Sequence, residues 1–424
     1  MSQASDAANN AADTAGQPRK RDLYLLLALN VVSHIQYIGV RFTALLFAVK
    51  LQASPAVMGG LIAVSSLVPA LSSVQLGKML DHVPRLRTPM LAASLVMLLS
   101  MMTPWFWQSV TALFVMCAVN GASYSVLRIT AQQLIGRISR ADDRAQNYSH
   151  YTMGLALGNV VAPLVSGIAV DHVGVRNVFL IFAAVGLAPA AALFFKWLRL
   201  PASAGHADAE TPHGAPQKND GDKARHGSSW DLLRIASLRR VLIAGIVLMT
   251  AWDVFSFLLP LYGSQLQFSA SQIGMCASAF YAGTFFIRLW LRPLLRAYTP
   301  WQLLLLSMAG GSIGFMVYPV LDNFTLMIVL GFVLGSGIGL TQPMTMSLAY
   351  EEAPPNRKGE VIGLRLTLSH ILQIVIPLLS GALGSALGLE AAYWVAAGVL
   401  IVGAWTARRE WSRGKRGPGP DAAQ

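Results

Sequence analysis

Long apolar runs, interrupted at short intervals by polar residues, fill the chain from residue 23 to residue 408. A helix needs about twenty apolar residues to cross roughly 30 Å of hydrocarbon. Runs near that length occur at 23–47, 57–79, 88–107, 110–133, 147–170 and 176–198, then at 240–263, 271–294, 301–320, 323–348, 360–385 and 390–408. Outer-membrane strands would instead show short segments of alternating polarity, so helices are predicted throughout. The pattern predicts an all-α membrane protein with twelve transmembrane helices, six on each side of a polar gap. The expected organisation is a disordered cytoplasmic tail over 1–22, a six-helix bundle over 23–198, and a cytoplasmic linker over 199–239. A second six-helix bundle follows over 240–408, and then a cytoplasmic tail over 409–424.

The two halves repeat one another. Pro163-Leu164-Val165-Ser166-Gly167 returns as Pro377-Leu378-Leu379-Ser380-Gly381, and Gly174 and Phe179 follow the first copy as Gly388 and Tyr393 follow the second. Upstream, Leu51-Gln52-x-Ser54 with Gly59 recurs as Leu266-Gln267-x-Ser269 with Gly274. Duplicated halves in a membrane chain predict pseudo-symmetric bundles with a substrate site between them near the bilayer midplane.

Composition agrees: 54% of the 424 residues are hydrophobic and only 12% charged, against about 25% in soluble domains. The placement of Lys and Arg among the loops sets the orientation, and the net charge of +12 reflects it. With both ends inside, the inner loops collect Lys78, Arg85, Arg87, Arg137, Arg140, Arg144, Arg292, Arg296, Arg357 and Lys358, whereas the outer loops hold only Lys50 and Arg176. This positive-inside pattern predicts cytoplasmic termini in a bacterial inner membrane. No basic groove with interleaved aromatics points to nucleic acid. Cys117 and Cys276 lie within predicted helices, where two buried free thiols are expected and neither a disulfide nor a metal site.

The loop Gly77-Lys78-Met79-Leu80-Asp81-His82-Val83-Pro84-Arg85 resembles the Gly-x-x-x-Asp-x-x-Gly-Arg gating loop of the major facilitator superfamily, with Pro84 in place of the usual Gly. Helix count, central gap and duplication fit the same resemblance over nearly the whole chain. In the second half Arg292 and Arg296 stand where Gly77 and Asp81 would map, so a latch using Asp81 is expected on one side only. In the fifth span, Gly154 and Gly158-x-x-x-Ala162-Pro163-x-x-Ser166-Gly167 resemble the superfamily's Gly-x-x-x-Gly-Pro-x-x-Gly-Gly signature of proton-linked exporters. Small residues at this spacing also make a close helix seam, and Pro163 permits a bend.

Asp253 is the one acidic residue well inside the predicted spans, and an ionisable group there marks function by default. On the first span Asn30, His34, Tyr37 and Arg41 form one polar stripe at helical spacing. The repeat register maps Asp253 beside Ile38, about 4.5 Å of helical rise from the level of Arg41. The resemblance implies that spans 1, 4, 7 and 10 line a central cavity. Asp253, Arg41 and His34 are therefore the candidates for proton coupling, with Asp253 and Arg41 expected as a pair. Candidate cavity residues are Asn30, Tyr37, Asn120, Tyr124, Arg128, Trp252, Gln342, Arg365 and His370. Arg128 and Arg288 either face the cavity or snorkel to the inner surface.

No Gly-x-x-x-x-Gly-Lys-[Ser/Thr] phosphate loop, nucleophile elbow or metal cluster suggests an enzyme or an ATP-driven pump. The resemblance implies a secondary active transporter needing no cofactor beyond a proton gradient, with a small-molecule substrate, protons and the bilayer as its partners, working as a monomer. Proton-coupled export (antiport) of a small amphipathic or anionic organic compound is expected. The alternatives are a proton symporter importing an organic anion, and a lipid flippase or non-transporting sensor.

Overall fold

The computed structural model describes residues 20–81, 83, 86–139, 143–197, 229–354 and 357–415. The expected tail over 1–22 therefore lies almost wholly outside the described residues, as does the linker up to 228. Among the described residues the regular structure is helical: α1 (Lys20–Lys50), α2 (Pro55–Asp81), α3 (Arg87–Phe106), α4 (Val110–Ile138), α5 (Arg144–Val173) and α6 (Val175–Phe194) form the first half. After a 3₁₀ turn (Ser229–Arg234) come α7 (Ala236–Gln265), α8 (Ala270–Leu289), α9 (Leu291–Ala297), α10 (Pro300–Val317), α11 (Phe324–Gly339), α12 (Thr341–Glu351), α13 (Lys358–Leu387) and α14 (Leu389–Lys415). Lipid offers the backbone no partners, so chains of this composition satisfy their amides within helices. Helix starts fall at polar turns: Ser109 and Asn323 accept from the amides three residues on, and Ser269–Gln272 and Thr299–Gln302 form capping boxes.

Among the described residues, ten spans are long and apolar enough to cross a membrane, one of them α11 and α12 together. The bent pair α8–α9 makes an eleventh, and α2 adds a shorter apolar stretch, Pro55–Leu71. Two predicted helices, 271–294 and 323–348, are each broken. The chain bends by 62° between α8 and α9, three residues before Pro293, and α11 gives way to α12 at Leu340, three residues before Pro343. Proline lacks an amide proton and clashes with the carbonyl four residues back, which is Leu289 in one case and Gly339 in the other. The freed Gly339 carbonyl accepts a hydrogen bond from Arg288 Nε at 3.4 Å. The 3₁₀ turn at the end of the expected linker buries Leu232, and α14 continues helical beyond the expected start of the C-terminal tail.

Within the first half α1 packs on α4, α5 and α6; within the second α7 packs on α12, α13 and α14. Two pairs, α5 with α8 and α2 with α13, join the halves, and α1 touches α7 between them.

The repeated residues build these joints. Gln52 (φ 55°) and Gln267 (φ 60°) both adopt the left-handed conformation that ends α1 and α7, with matching amide bonds from Ala53 to Ala48 and from Phe268 to Gly263, each 3.0 Å. The serines two residues later begin α2 and α8. Gly59 then lies on the Pro377 backbone and Gly274 on the Pro163 backbone, while Gly167 meets the Ala270 carbonyl and Gly381 the Pro55 carbonyl. A Cβ at any of the four would overlap main chain. Polar bonds close the same end: Asp171 accepts from Ala270 N (3.0 Å) and Ser271 N (2.8 Å), Ser385 Oγ accepts from Ala56 N (2.9 Å), and Ser278 Oγ donates to Val160 O (2.7 Å).

Gly274→Val is expected to lower unfolding stability in detergent by about 1–3 kcal/mol through overpacking. Gly310→Val, where a Cβ has open space, should change it by less than about 0.5 kcal/mol. Thermal unfolding of the two purified variants checks the contrast.

Candidate functional site

The polar stripe of α1 faces α4 and α5. His34 is buried, with Nδ1 2.6 Å from Tyr124 Oη and Nε2 3.0 Å from Asn159 Oδ1. A neutral ring satisfies both contacts if Nε2–H donates to Asn159 and Nδ1 accepts from the Tyr124 hydroxyl. Tyr37 stacks on Tyr124 with centroids 4.1 Å apart. Arg41 Nη1 donates to Tyr37 Oη at 3.3 Å, its guanidinium 5.4 Å from the Tyr37 ring. Asn30 and Asn120 are buried, and Asn30 Oδ1 and both Asn120 amide atoms have no hydrogen-bond partner.

The fifth-span motif explains why α5 lies where it does. Gly154 packs against Val31 and Gly158 against His34 and Ile35, while Ser166 Oγ donates to the carbonyls of Ala162 (2.7 Å) and Gly39 (3.2 Å). Pro163 and Gly167, on another face, meet α8. One face of the motif thus binds α1 and presents Asn159 to His34, while the other forms the joint between halves.

Across the centre, α7 carries Trp252 and Asp253. Trp252 packs on Phe280 and Tyr281, both at 5.4 Å between centroids, and Tyr281 Oη donates to Ser256 Oγ at 3.0 Å. Asp253 Oδ2 is buried without a hydrogen-bond partner. The expected ion pair with Arg41 is not closed: no contact within 4 Å joins them, although Arg41 is the cation whose field reaches both Asp253 and Tyr281. The physical reason is that the Arg41 guanidinium is drawn instead to the hydroxyl and ring face of Tyr37.

Arg128 on α4 is exposed, one turn along from Tyr124, and Tyr151 on α5 is buried. Arg365 is buried on α13, with Nη2 donating to Thr345 Oγ1 at 3.2 Å; His370 is half-buried one turn further on. Arg288 serves the carbonyl freed by Pro343. The Gln342 side chain and those of Gly77, Asp81 and Arg85 in the expected gating loop lie outside the described residues. Cys117 and Cys276 are buried and free. Tyr281, Asn159 and Tyr151 were not among the predicted site residues. Asn159 was legible as a polar residue within the exporter-like motif, whereas a tyrosine in a span carries no signal of its own.

The profile of the Major Facilitator Superfamily matches residues 26–376, with a further match over 241–422. The chain belongs to the major facilitator superfamily. It is accordingly an integral, multi-pass membrane transporter of that kind. No curated protein gives a match. Among solved structures, the chain is similar to a bacterial homologue of the human lysosomal transporter Spinster in an inward-facing, unoccupied conformation, with a TM-score of 0.75 at 14% identity, covering 93% of this chain and 98% of that one. A peptide transporter POT gives 0.77 at 14% identity, covering 94% and 97%. A variant of the nucleoside transporter NupG gives 0.70 at 13% identity, covering 91% and 99%. At such identities the likeness establishes the superfamily fold.

Tyr124→Phe removes one hydroxyl and leaves His34 Nδ1 without its partner. It should cost about 1–3 kcal/mol of unfolding stability, read by thermal unfolding against Tyr148→Phe, whose hydroxyl bonds the Gln132 carbonyl in a less buried setting.

Proposed function

We propose that this superfamily member is a proton-coupled secondary transporter of a small organic compound, working by alternating access, with Asp253 as the proton-carrying group. One observation carries the reading: a carboxylate oxygen buried in a membrane span without a hydrogen bond, within the field of Arg41 but not bridged to it. A carboxylate there is costly as an unpaired anion, so either a proton or the Arg41 guanidinium must answer it. Exchange between those two answers is a means of coupling proton uptake to movement of α7 against α1. Arg41 and Asp253 sit on helices from different halves that touch, so the state of the pair bears on how the halves rock.

Lys and Arg placement supports cytoplasmic termini in a bacterial inner membrane. In that orientation the sealed end, with Asp171 and Ser385, is the outer face and the cavity opens inward, in keeping with the likeness to an inward-facing Spinster homologue. Export by exchange for protons is our preferred direction, on the strength of the fifth-span motif. Proton-linked uptake of an organic anion is the second reading, favoured by the exposed guanidinium of Arg128 within a membrane span.

In proteoliposomes with an imposed pH gradient and a panel of labelled organic compounds, a one-for-one coupled wild type should accumulate its substrate about tenfold per pH unit. Asp253→Asn, fixed in the uncharged form, should retain counterflow exchange and lose that accumulation. Transport by Asp253→Asn at the wild-type rate with unchanged pH dependence would remove the proposal.

A further inference from the structure

We propose that the outer seal parts between α2 and α13 and pivots on the joint between α5 and α8, so that the cargo crosses the outer face of the bundle on the α2–α13 side. The inference rests on the alternating-access reading above and adds the route to it. Its basis is a comparison of the two joints in the register of the repeat. In shape they match: each seats a glycine from a helix start and a glycine from a helix end on the partner's main chain, Gly274 and Gly167 in one joint, Gly59 and Gly381 in the other. In polar bonds they do not. Among the described residues three side-chain bonds join α5 to α8 at this end, two through the Asp171 carboxylate and one through the Ser278 hydroxyl, whereas one joins α2 to α13, from Ala56 N to Ser385 Oγ.

Each missing bond has its cause at a repeat position. The register of Pro163 and Pro377 sets Ser385 where Asp171 stands, so a hydroxyl replaces a carboxylate. The register of Gln52 and Gln267 sets Pro55 where Ala270 stands, and proline has no amide proton to donate. The same register sets Ala63 where Ser278 stands, and alanine has no hydroxyl to offer the α13 backbone. What remains to α2 is the Ala56 amide, the counterpart of Ser271. Charge-assisted bonds are about twice as strong as neutral ones, and an anion on the orphan amides of a helix start is favoured further by the helix dipole. Water tempers that advantage at Asp171, which is exposed, but not at Ser278, which is buried eight residues further along α8 than Ala270, about 12 Å by helical rise. When two rocking bundles open at one end, the side with fewer bonds parts and the better-bonded side serves as the hinge.

The test uses the purified full-length protein in lipid nanodiscs, spin-labelled on cysteines introduced as two repeat-equivalent pairs. Ala56→Cys with Ala386→Cys spans the α2–α13 joint, and Ser271→Cys with His172→Cys spans the α5–α8 joint. These pairs keep every backbone amide and the side chains of Asp171 and Ser385, and the parent chain, whose Cys117 and Cys276 are buried, controls for background labelling. Pulsed electron paramagnetic resonance should show a second, longer distance in the first pair, populated about fivefold or more above any in the second, the factor that one net hydrogen bond makes. Ser385→Ala should raise the longer population of the first pair alone. The exchange Asp171→Ser with Ser385→Asp, which only trades side chains between the joints, should move longer distances toward the second pair, an effect that general loosening would not produce. Distances are read without a pH gradient, so failure of the proton-coupling reading and failure of this one are distinguishable. The proposal is overturned if the two pairs lengthen equally, if the second lengthens more, if neither gains a longer distance even with Ser385→Ala, or if the exchange leaves the distributions unchanged.

Discussion

Backbone-to-backbone contact at one end of the bundle governs the rest of the molecule. Lipid supplies no hydrophobic force between helices, so two bundles stay joined only where main chains approach closely enough for dispersion and hydrogen bonds to accumulate. Here that approach is made twice, α5 on α8 and α2 on α13, each joint contributing one glycine from a helix start and one from a helix end. The glycines alone would not hold register. The left-handed turns at Gln52 and Gln267 end α1 and α7 so that Pro55 and Ala270 begin the next helices facing the partner half.

The joints share a backbone but differ in chemistry. Asp171 caps the start of α8 with two carboxylate oxygens on two amides, whereas Ser385, its counterpart, offers one hydroxyl to Ala56. A helix start carries partial positive charge, so the carboxylate holds α8 more firmly than the hydroxyl holds α2. The seal is symmetric in shape and unequal in strength. The same holds deeper in the protein, where Asp253 corresponds in the repeat to Ile38. Duplication supplies the scaffold, and later divergence supplies the charges.

Much of this was legible in the sequence because membranes impose few solutions. Run lengths marked most of the spans, and the repeat marked two related halves. What escaped depended on contacts that spacing does not encode. Prolines 293 and 343 stood in plain view, yet the breaks they impose were missed because hydropathy continues across them; Arg288 then acquires its partner only through the carbonyl that Pro343 releases. The repeat register placed Arg41 and Asp253 at compatible levels and the stripe put Tyr37 one turn from Arg41, but spacing does not say that the guanidinium bonds the tyrosine rather than the carboxylate. The fifth-span motif was visible as small residues, while its division between an α1 face and an α8 face required the packed structure.

In the proposed mechanism Asp253 acts across the interface between the halves, and a coupled transporter needs a physical link from it into the first half. α1 provides one. Arg41, within the field of Asp253, bonds the Tyr37 hydroxyl; Tyr37 stacks on Tyr124; and Tyr124 meets both His34 and the field of Arg128. Each contact is direct or electrostatic and every member but Asp253 belongs to the first half, so the chain is contiguous in the sense that energetic coupling requires. Charging Asp253 draws the Arg41 guanidinium away from Tyr37, and releasing Tyr37 loosens the ring against which Tyr124 is set. Because His34 is tied to Asn159 through the seam at Gly158, that shift is resisted on the α5 side and must be taken up toward α7, where α1 and α2 meet the second half outside the two joints.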